Sequence, residues 1–146
     1  MTRGISMMFV LGITSGSVAH AADAVSNIVP WQAVISASEH PDGVDGTFEM
    51  VVLSIDHQAG YFFLNSEGDH RSPRNLRIVL SEAVAAAFEQ KIGVSSEDAL
   101  LGRSVLVRGT ALRTKITLIV EGAPHGFYYQ TRIMVAKPDQ IEITGK

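Results

Sequence analysis

Apolar and polar residues alternate along most of this chain, and the period changes decisively once, just after Leu80. From Thr47 to Asp56, Phe48, Met50 and Val52 share one parity while Leu53 and Ile55 take the other. That pattern predicts a long strand bent by a bulge at Val51-Val52-Leu53. The segment from Asp56 to Gly60 then turns the chain. Tyr61 to Asn65 reads as a second strand, with Phe62 and Leu64 on the inner face and Tyr61 and Phe63 on the outer one. A polar connection, Ser66 to Arg74, leads to a third strand, where Leu76, Ile78 and Leu80 alternate with Arg77 and Val79.

At Ser81 the period becomes helical. Ser81 is placed to cap the N-terminus, Glu82 supplies an acid in the first turn, and Val84, Ala87, Phe88 and Ile92 form one apolar face. Gly93 is placed to stop this helix. Ser96 to Leu101 reads as a shorter helical turn ended by Gly102. Strand periodicity resumes at Arg103 to Thr110, where Gly109 marks a bend or a close backbone approach. It continues through Ala111 to Val120, with Ile116, Leu118 and Val120 on one face. Residues 121–126 read as a loop, Phe127 to Ala136 as a strand, Lys137 to Gln140 as a turn and Ile141 to Thr144 as a closing edge.

The N-terminal third is organised differently. Arg3 gives a short positive start, Ile5 to Val18 carries no charge, and Ala19-His20-Ala21 has the form of a cleavage site, so residues 1–21 read as a secretory signal peptide. The apolar run is shorter than the roughly 20 residues that cross a bilayer, and no membrane span is expected after cleavage. The expected location is therefore periplasmic or secreted. Ala22 to Val29 reads as loose. Trp31 to Ser38 suggests a helical turn capping one end of the core, with Trp31 as a buried plug. Residues 39–46 are dense in Pro, Asp and Gly and read as a loop. The domain organisation is thus a signal peptide at 1–21, an N-terminal segment at 22–46 and one folded domain at 47–146.

Composition narrows the function classes. The chain is 46% hydrophobic and 18% charged, which excludes a disordered polymer. It has no cysteine, so its stability must come from a packed core rather than disulfides. The formal net charge is −3, and loss of Arg3 makes the mature chain more acidic still. The mild negative charge argues against binding of nucleic acid through bulk charge alone, although it leaves room for a local basic patch.

A helix between the third and fourth strands of a five-stranded Greek-key barrel is the order of an OB-fold. The runs Tyr61-Phe-Phe-Leu-Asn65, Asn75-Leu-Arg-Ile-Val-Leu80, Leu101-Gly-Arg-Ser-Val-Leu-Val-Arg-Gly109 and Pro138-Asp-Gln-Ile-Glu142 resemble small secreted bacterial OB-fold domains of nucleic-acid-binding or thermonuclease-accessory type. The resemblance covers residues 47–144, and its motifs are strand cores and glycines at bends. It implies an all-β fold with one inserted helix. The calcium-binding acids and catalytic arginines of thermonucleases have no counterparts here, so no catalytic residue is carried over. Lys115 to Gln130 looks longer than in the simplest such domains.

Candidate chemistry concentrates in one hairpin. Tyr61, Phe63 and Arg77 share an outer face, and Arg71 and Arg74 extend it in the adjoining loop. Aromatic rings stack on bases or sugars, and arginines pair with phosphates or carboxylates. The structural alternative packs Tyr61 and Phe63 under the helix and pairs the arginines with Glu67 and Asp69. Tyr128 and Tyr129, beside Phe127, Gln130 and His125, form a second candidate. His57, His70 and His125 with Glu67 and Asp69 have zinc-type donors, but no ligand spacing joins them, and neither a metal nor a cofactor is expected. Arg103, Arg108, Arg113 and Lys115 are candidates for a basic edge. No phosphate-cradling glycine loop, nucleophile elbow or cysteine nucleophile is present. The expectation is a binding module without catalytic activity, taking an oligonucleotide, oligosaccharide or other polyanion on the face of the second and third strands. The alternatives are an interaction module docking a protein of the cell envelope and, less favoured, a metal-dependent nuclease-type hydrolase.

Overall fold

The computed structural model describes residues 26–145. The signal peptide read at 1–21 lies outside them. The described chain is mostly β. In order it forms α1 (Pro30–Glu39), β1 (Val44–Val51), β2 (Ser54–Gln58), β3 (Tyr61–Asn65), β4 (Leu76–Ser81), α2 (Glu82–Ile92), α3 (Ser96–Leu100), β5 (Ser104–Val120), β6 (Ala123–Val135), a 3-10 turn at Pro138–Gln140 and β7 (Ile141–Gly145).

The strands form one mixed sheet ordered β1-β5-β6-β4-β3-β2, with β7 also paired to β5. All pairings are antiparallel except β4 with β6, which run parallel with Leu76 opposite Thr131 and Leu80 opposite Val135. The strand that the alternation placed at Thr47 to Asp56 is broken where its parity switches. β1 ends at Val51 and β2 starts at Ser54, while Val52 is fully buried between them. Hydrogen bonds hold the junction on both sides: Val52 N–H donates to the Arg103 carbonyl (2.9 Å), and Leu53 N–H to that of Asn65 (2.9 Å).

The core is the inner face of these strands. Phe48 and Met50, Leu64, Leu76, Ile78 and Leu80, Val105 and Val107, and Ile133 and Val135 pack there with Phe88 of α2 and Leu100 of α3. The alternation of these residues follows from the period of two in a strand. The helix α2 forms as its ends dictate: Ser81 Oγ accepts from Val84 N–H, and Gly93 takes φ 79° as the left-handed stop.

Three expectations need correction. Trp31 is not a core plug: it is 60% exposed. The face of α1 turned to the core presents Ala33 and Ala37, four residues apart, and these small side chains let the helix lie close to the sheet. Ile28, read as loose, is pinned beside Phe48, donating to the Thr47 carbonyl (2.8 Å) and accepting from Glu49 N–H (2.9 Å). Residues 121–126 are not a loop. The two stretches 103–110 and 111–120 form the single strand β5, which turns directly into β6 through Glu121 and Gly122 at φ 51° and 78°. Two consecutive positive φ values are what a tight two-residue hairpin turn requires. Gly109 makes a close approach, since a Cβ there would meet Ile133 Cγ2 at 2.9 Å.

The β2–β3 hairpin uses the same device at Ala59 and Gly60 (φ 53° and 81°). Alanine is strained there, so Ala59→Gly is expected to stabilise the protein by about 0.5 kcal/mol, the relief of left-handed strain exceeding the added chain entropy. A urea midpoint unchanged or lowered would show that the turn carries no such strain.

Candidate functional site

In register, paired residues on neighbouring strands point to the same side of a sheet. Asn65 pairs with Arg77, Arg77 with Arg132, and Arg132 with Leu112, so one row crosses four strands on the face opposite the core. Phe63 lies two residues before Asn65 on that face. Gln130 and Tyr128 lie two and four residues before Arg132.

Arg77 is the centre of this row. It is only 6% exposed, and its guanidinium lies 4.0 Å above the Phe63 ring centroid. One Nη donates to Asp56 Oδ2 at 3.1 Å, and the buried Nε has no partner among the described residues. Asp56 Oδ2 also accepts from Asn65 Nδ2 (3.0 Å) and lies 3.8 Å from His70 Nδ1. Asn65 Oδ1 in turn accepts from Asn75 Nδ2 at 3.0 Å, which braces the carboxylate from behind. Arg132 stands on the other side, with its guanidinium 5.9 Å from the same ring. Burial pushes the Arg77 guanidinium below its ordinary value; Asp56 opposes this, and Arg132 adds to it by like-charge repulsion. Burial lowers Arg132 as well.

Asp56, Phe63, His70, Arg77 and Arg132 line a pocket of about 530 Å³ together with Ile55, His57, Gln58, Ile116 and Tyr128. Tyr128 also lines a second pocket of about 340 Å³, walled by Val34, Ile35 and Ser38 of α1, Pro73, Thr131, Tyr129, Arg71 and Arg113. The two pockets share Tyr128 but lie on opposite faces of the sheet: Arg113, Tyr129 and Thr131 have the core-side parity, and Arg77, Arg132 and Ile116 the other. Their linings include Arg71, Arg77, Arg113 and Arg132 but only one acid, Asp56, which already holds Arg77.

The sequence candidates divide accordingly. Phe63, Arg77 and Tyr128 meet in the larger pocket, and Arg71, Tyr128 and Tyr129 in the smaller. Tyr61 is 40% exposed and tilted against Phe63 at 6.2 Å, and neither it nor Arg74 lines these two pockets. The arginines do not pair with Glu67 and Asp69. Arg77 takes Asp56, and Asp69 Oδ1 accepts the Arg71 backbone N–H (2.9 Å) inside its own loop. The Phe63 ring is covered by Arg77 and so serves as the arginine's floor. The run Phe127-Tyr128-Tyr129 splits between faces: Tyr128 joins the Arg77 row, while Lys115 stacks over Phe127 (4.2 Å) and Arg113 over Tyr129 (3.7 Å) on the other side.

The basic-edge candidates do not form one stripe, because Arg108 donates instead to the Asp139 carbonyl (2.6 Å) near β7. His57 stacks on Phe62 (4.2 Å) and meets Glu82 (2.9 Å), whereas His70 lies beside Asp56. Among the described residues no group of three or more His, Asp or Glu gathers as metal ligands would. Sequence reasoning missed Asp56 and Arg132, and it grouped Gln130 with Tyr129 rather than with the Arg77 row. The i, i+2, i+4 spacing of Tyr128, Gln130 and Arg132 was the available signal.

No family model and no curated protein matches this chain. Among solved structures it is similar to a putative aspartyl-tRNA synthetase from Leishmania major Friedlin, with 13% sequence identity and a TM-score of 0.40. The overlap covers 88% of this chain but 22% of that one, so this chain spans about a fifth of the length of that structure. Among the described residues no helix is long and apolar enough to cross a membrane.

Proposed function

We propose that the sheet is a five-stranded OB-type barrel, with β1 and β2 as two halves of one bent strand and α2 between the third and fourth strands. The strand order supports this reading: β1 and β2 stand at opposite ends of the hydrogen-bonded path yet are separated in the chain only by Val52 and Leu53. We propose further that the protein is a secreted or periplasmic binding module, not an enzyme, that takes a single-stranded nucleic acid or another linear polyanion. The observation carrying this is the pair of adjoining pockets whose linings hold four arginines and one carboxylate. The pockets open on opposite faces of the sheet, so a flexible polyanion would reach both by wrapping round the β6 strand at Tyr128. The arginines stay charged at physiological pH and suit phosphate or carboxylate.

Titrating the protein with single-stranded DNA, single-stranded RNA and an oligogalacturonate over a salt series tests this. Affinity is expected to fall linearly on logarithmic axes as salt rises. Arg71→Gln with Arg113→Gln is expected to reduce the slope for the nucleic acids by about 1–1.5, near 0.7 for each phosphate left without its arginine. Absence of binding by all three polymers at low salt would end the reading.

A second reading, docking of an envelope protein, is favoured by one feature. The end of the β5–β6 hairpin exposes Ile119 (59%), Val120 (50%) and Phe127 (54%) together. Co-purification of an envelope protein with a chain that binds none of the polymers would favour it over the first.

A further inference from the structure

The larger pocket is built to a finer specification than an attraction for negative charge. Arginine can only donate, so the bond from Arg132 Nε to Gln130 at 2.9 Å must end on the amide oxygen. That orientation aims the Gln130 amide nitrogen at the Tyr128 hydroxyl, 3.1 Å away. The tyrosine oxygen is therefore an acceptor within the relay, and its own hydrogen is left to donate outward. Tyr128 lines the same pocket as Arg77 and Arg132. The Arg77 guanidinium is held in place by Phe63 below and Asp56 at its side. Three donor groups thus converge on a half-enclosed space from rigid strands. The charge count is equally definite. The guanidiniums of Arg77 and Arg132 against the Asp56 carboxylate leave one positive charge uncompensated, and a partly buried site favours the guest that neutralises it without overshooting.

We propose that the space between Arg77, Arg132 and Tyr128 seats a single monoanionic oxyanion, a phosphodiester or a carboxylate, with the Tyr128 hydroxyl as an obligate donor and Asp56 as the charge that turns dianions away. This rests on the polyanion reading and adds to it the class of group that anchors the ligand. The local chemistry is the same for a phosphodiester of a nucleic acid and a carboxylate of an acidic glycan.

Dimethyl phosphate, acetate and methyl phosphate separate the cases. At about pH 8 the first two are monoanions and the third is a dianion. Titrations of the labelled protein followed by amide NMR are expected to show dimethyl phosphate or acetate shifting the amides of Arg77, Tyr128 and Arg132. The stronger of the two names the source, and methyl phosphate is expected to bind more weakly than that one. Tyr128→Phe keeps the ring and is expected to weaken the monoanion roughly tenfold, the scale of a hydrogen bond to a charged acceptor. Its thermal midpoint should stay close to that of the parent. Arg132→Gln should weaken the monoanion as well. Tighter binding of methyl phosphate, shifts confined to other residues, no binding of either monoanion, or an affinity untouched by Tyr128→Phe would each overturn the proposal. Monoanions bound at this seat with no polymer bound would leave the pocket standing and remove the polyanion reading. Polymers bound with affinity indifferent to Tyr128→Phe would do the reverse.

Discussion

Phe48→Ala is expected to cost about 3–5 kcal/mol, a large part of the 5–15 kcal/mol that holds a domain of this size together. Phe48 is fully buried and is among the largest side chains in the core. It sits where several parts of the fold meet: it pairs with Val107 across β1–β5 and is bridged to Ile28 on its other side. The surroundings cannot relax into the vacated space, because β1 is held to β5 through eight consecutive pairs from Val44 to Val51. A cavity therefore remains, and its lining loses dispersion attraction as well as buried area. Urea unfolding with an unchanged m-value and a lowered midpoint is the expected record. A loss below about 1 kcal/mol would mean that β1 is not part of the core. Trp31→Ala is the matched control: the side chain is larger but 60% exposed, and the change should stay within about 0.5 kcal/mol.

Asp56→Asn is expected to move stability and binding in opposite directions. The Arg77 side chain is 7% exposed, and among the described residues Asp56 is its one ion-pair partner, at 3.1 Å. Removing one member of a buried pair leaves the other charge uncompensated at a cost of several kcal/mol. The Asp56 side chain is 39% exposed, so solvent screens part of that loss, and about 1–3 kcal/mol is expected. The same substitution removes the one negative charge from the pocket lining. Oxyanions should then bind roughly tenfold more tightly, and the preference for monoanions over dianions should shrink. Urea unfolding and a titration with dimethyl phosphate report the two effects separately. If both fall together, Asp56 supports the ligand directly instead of opposing it.

The strands and the principal helix were legible in the chain because their causes are local. Alternation from Leu76 to Leu80 can satisfy only a strand with one face inward. Ser81 and Gly93 supply the start and the stop of α2 whatever lies around them. Even the break at Val52 and Leu53 was visible as a change of parity. The candidate site was legible in part, since Arg77, Phe63 and Tyr128 stand out by chemistry alone.

What the chain determined by itself was thus the core-facing alternation of β3 and β4, the ends of α2 and the arginine-rich hairpin. The tertiary structure decided which of those groups act together. Arg77 and Arg132 are far apart in sequence and become neighbours only because β4 and β6 pair in parallel. Asp56, on a strand read chiefly for its core positions, displaced the nearer Glu67 and Asp69 as the partner of Arg77 because β2 lies alongside β3 in register, with Asp56 opposite Phe63. Trp31 was left outside for a related reason: the space above the sheet takes the two alanines of α1, and an indole would hold the helix away. Local pattern sets which way a side chain faces, whereas the charges and rings it meets depend on strand register and helix distance, which the packed chain alone specifies.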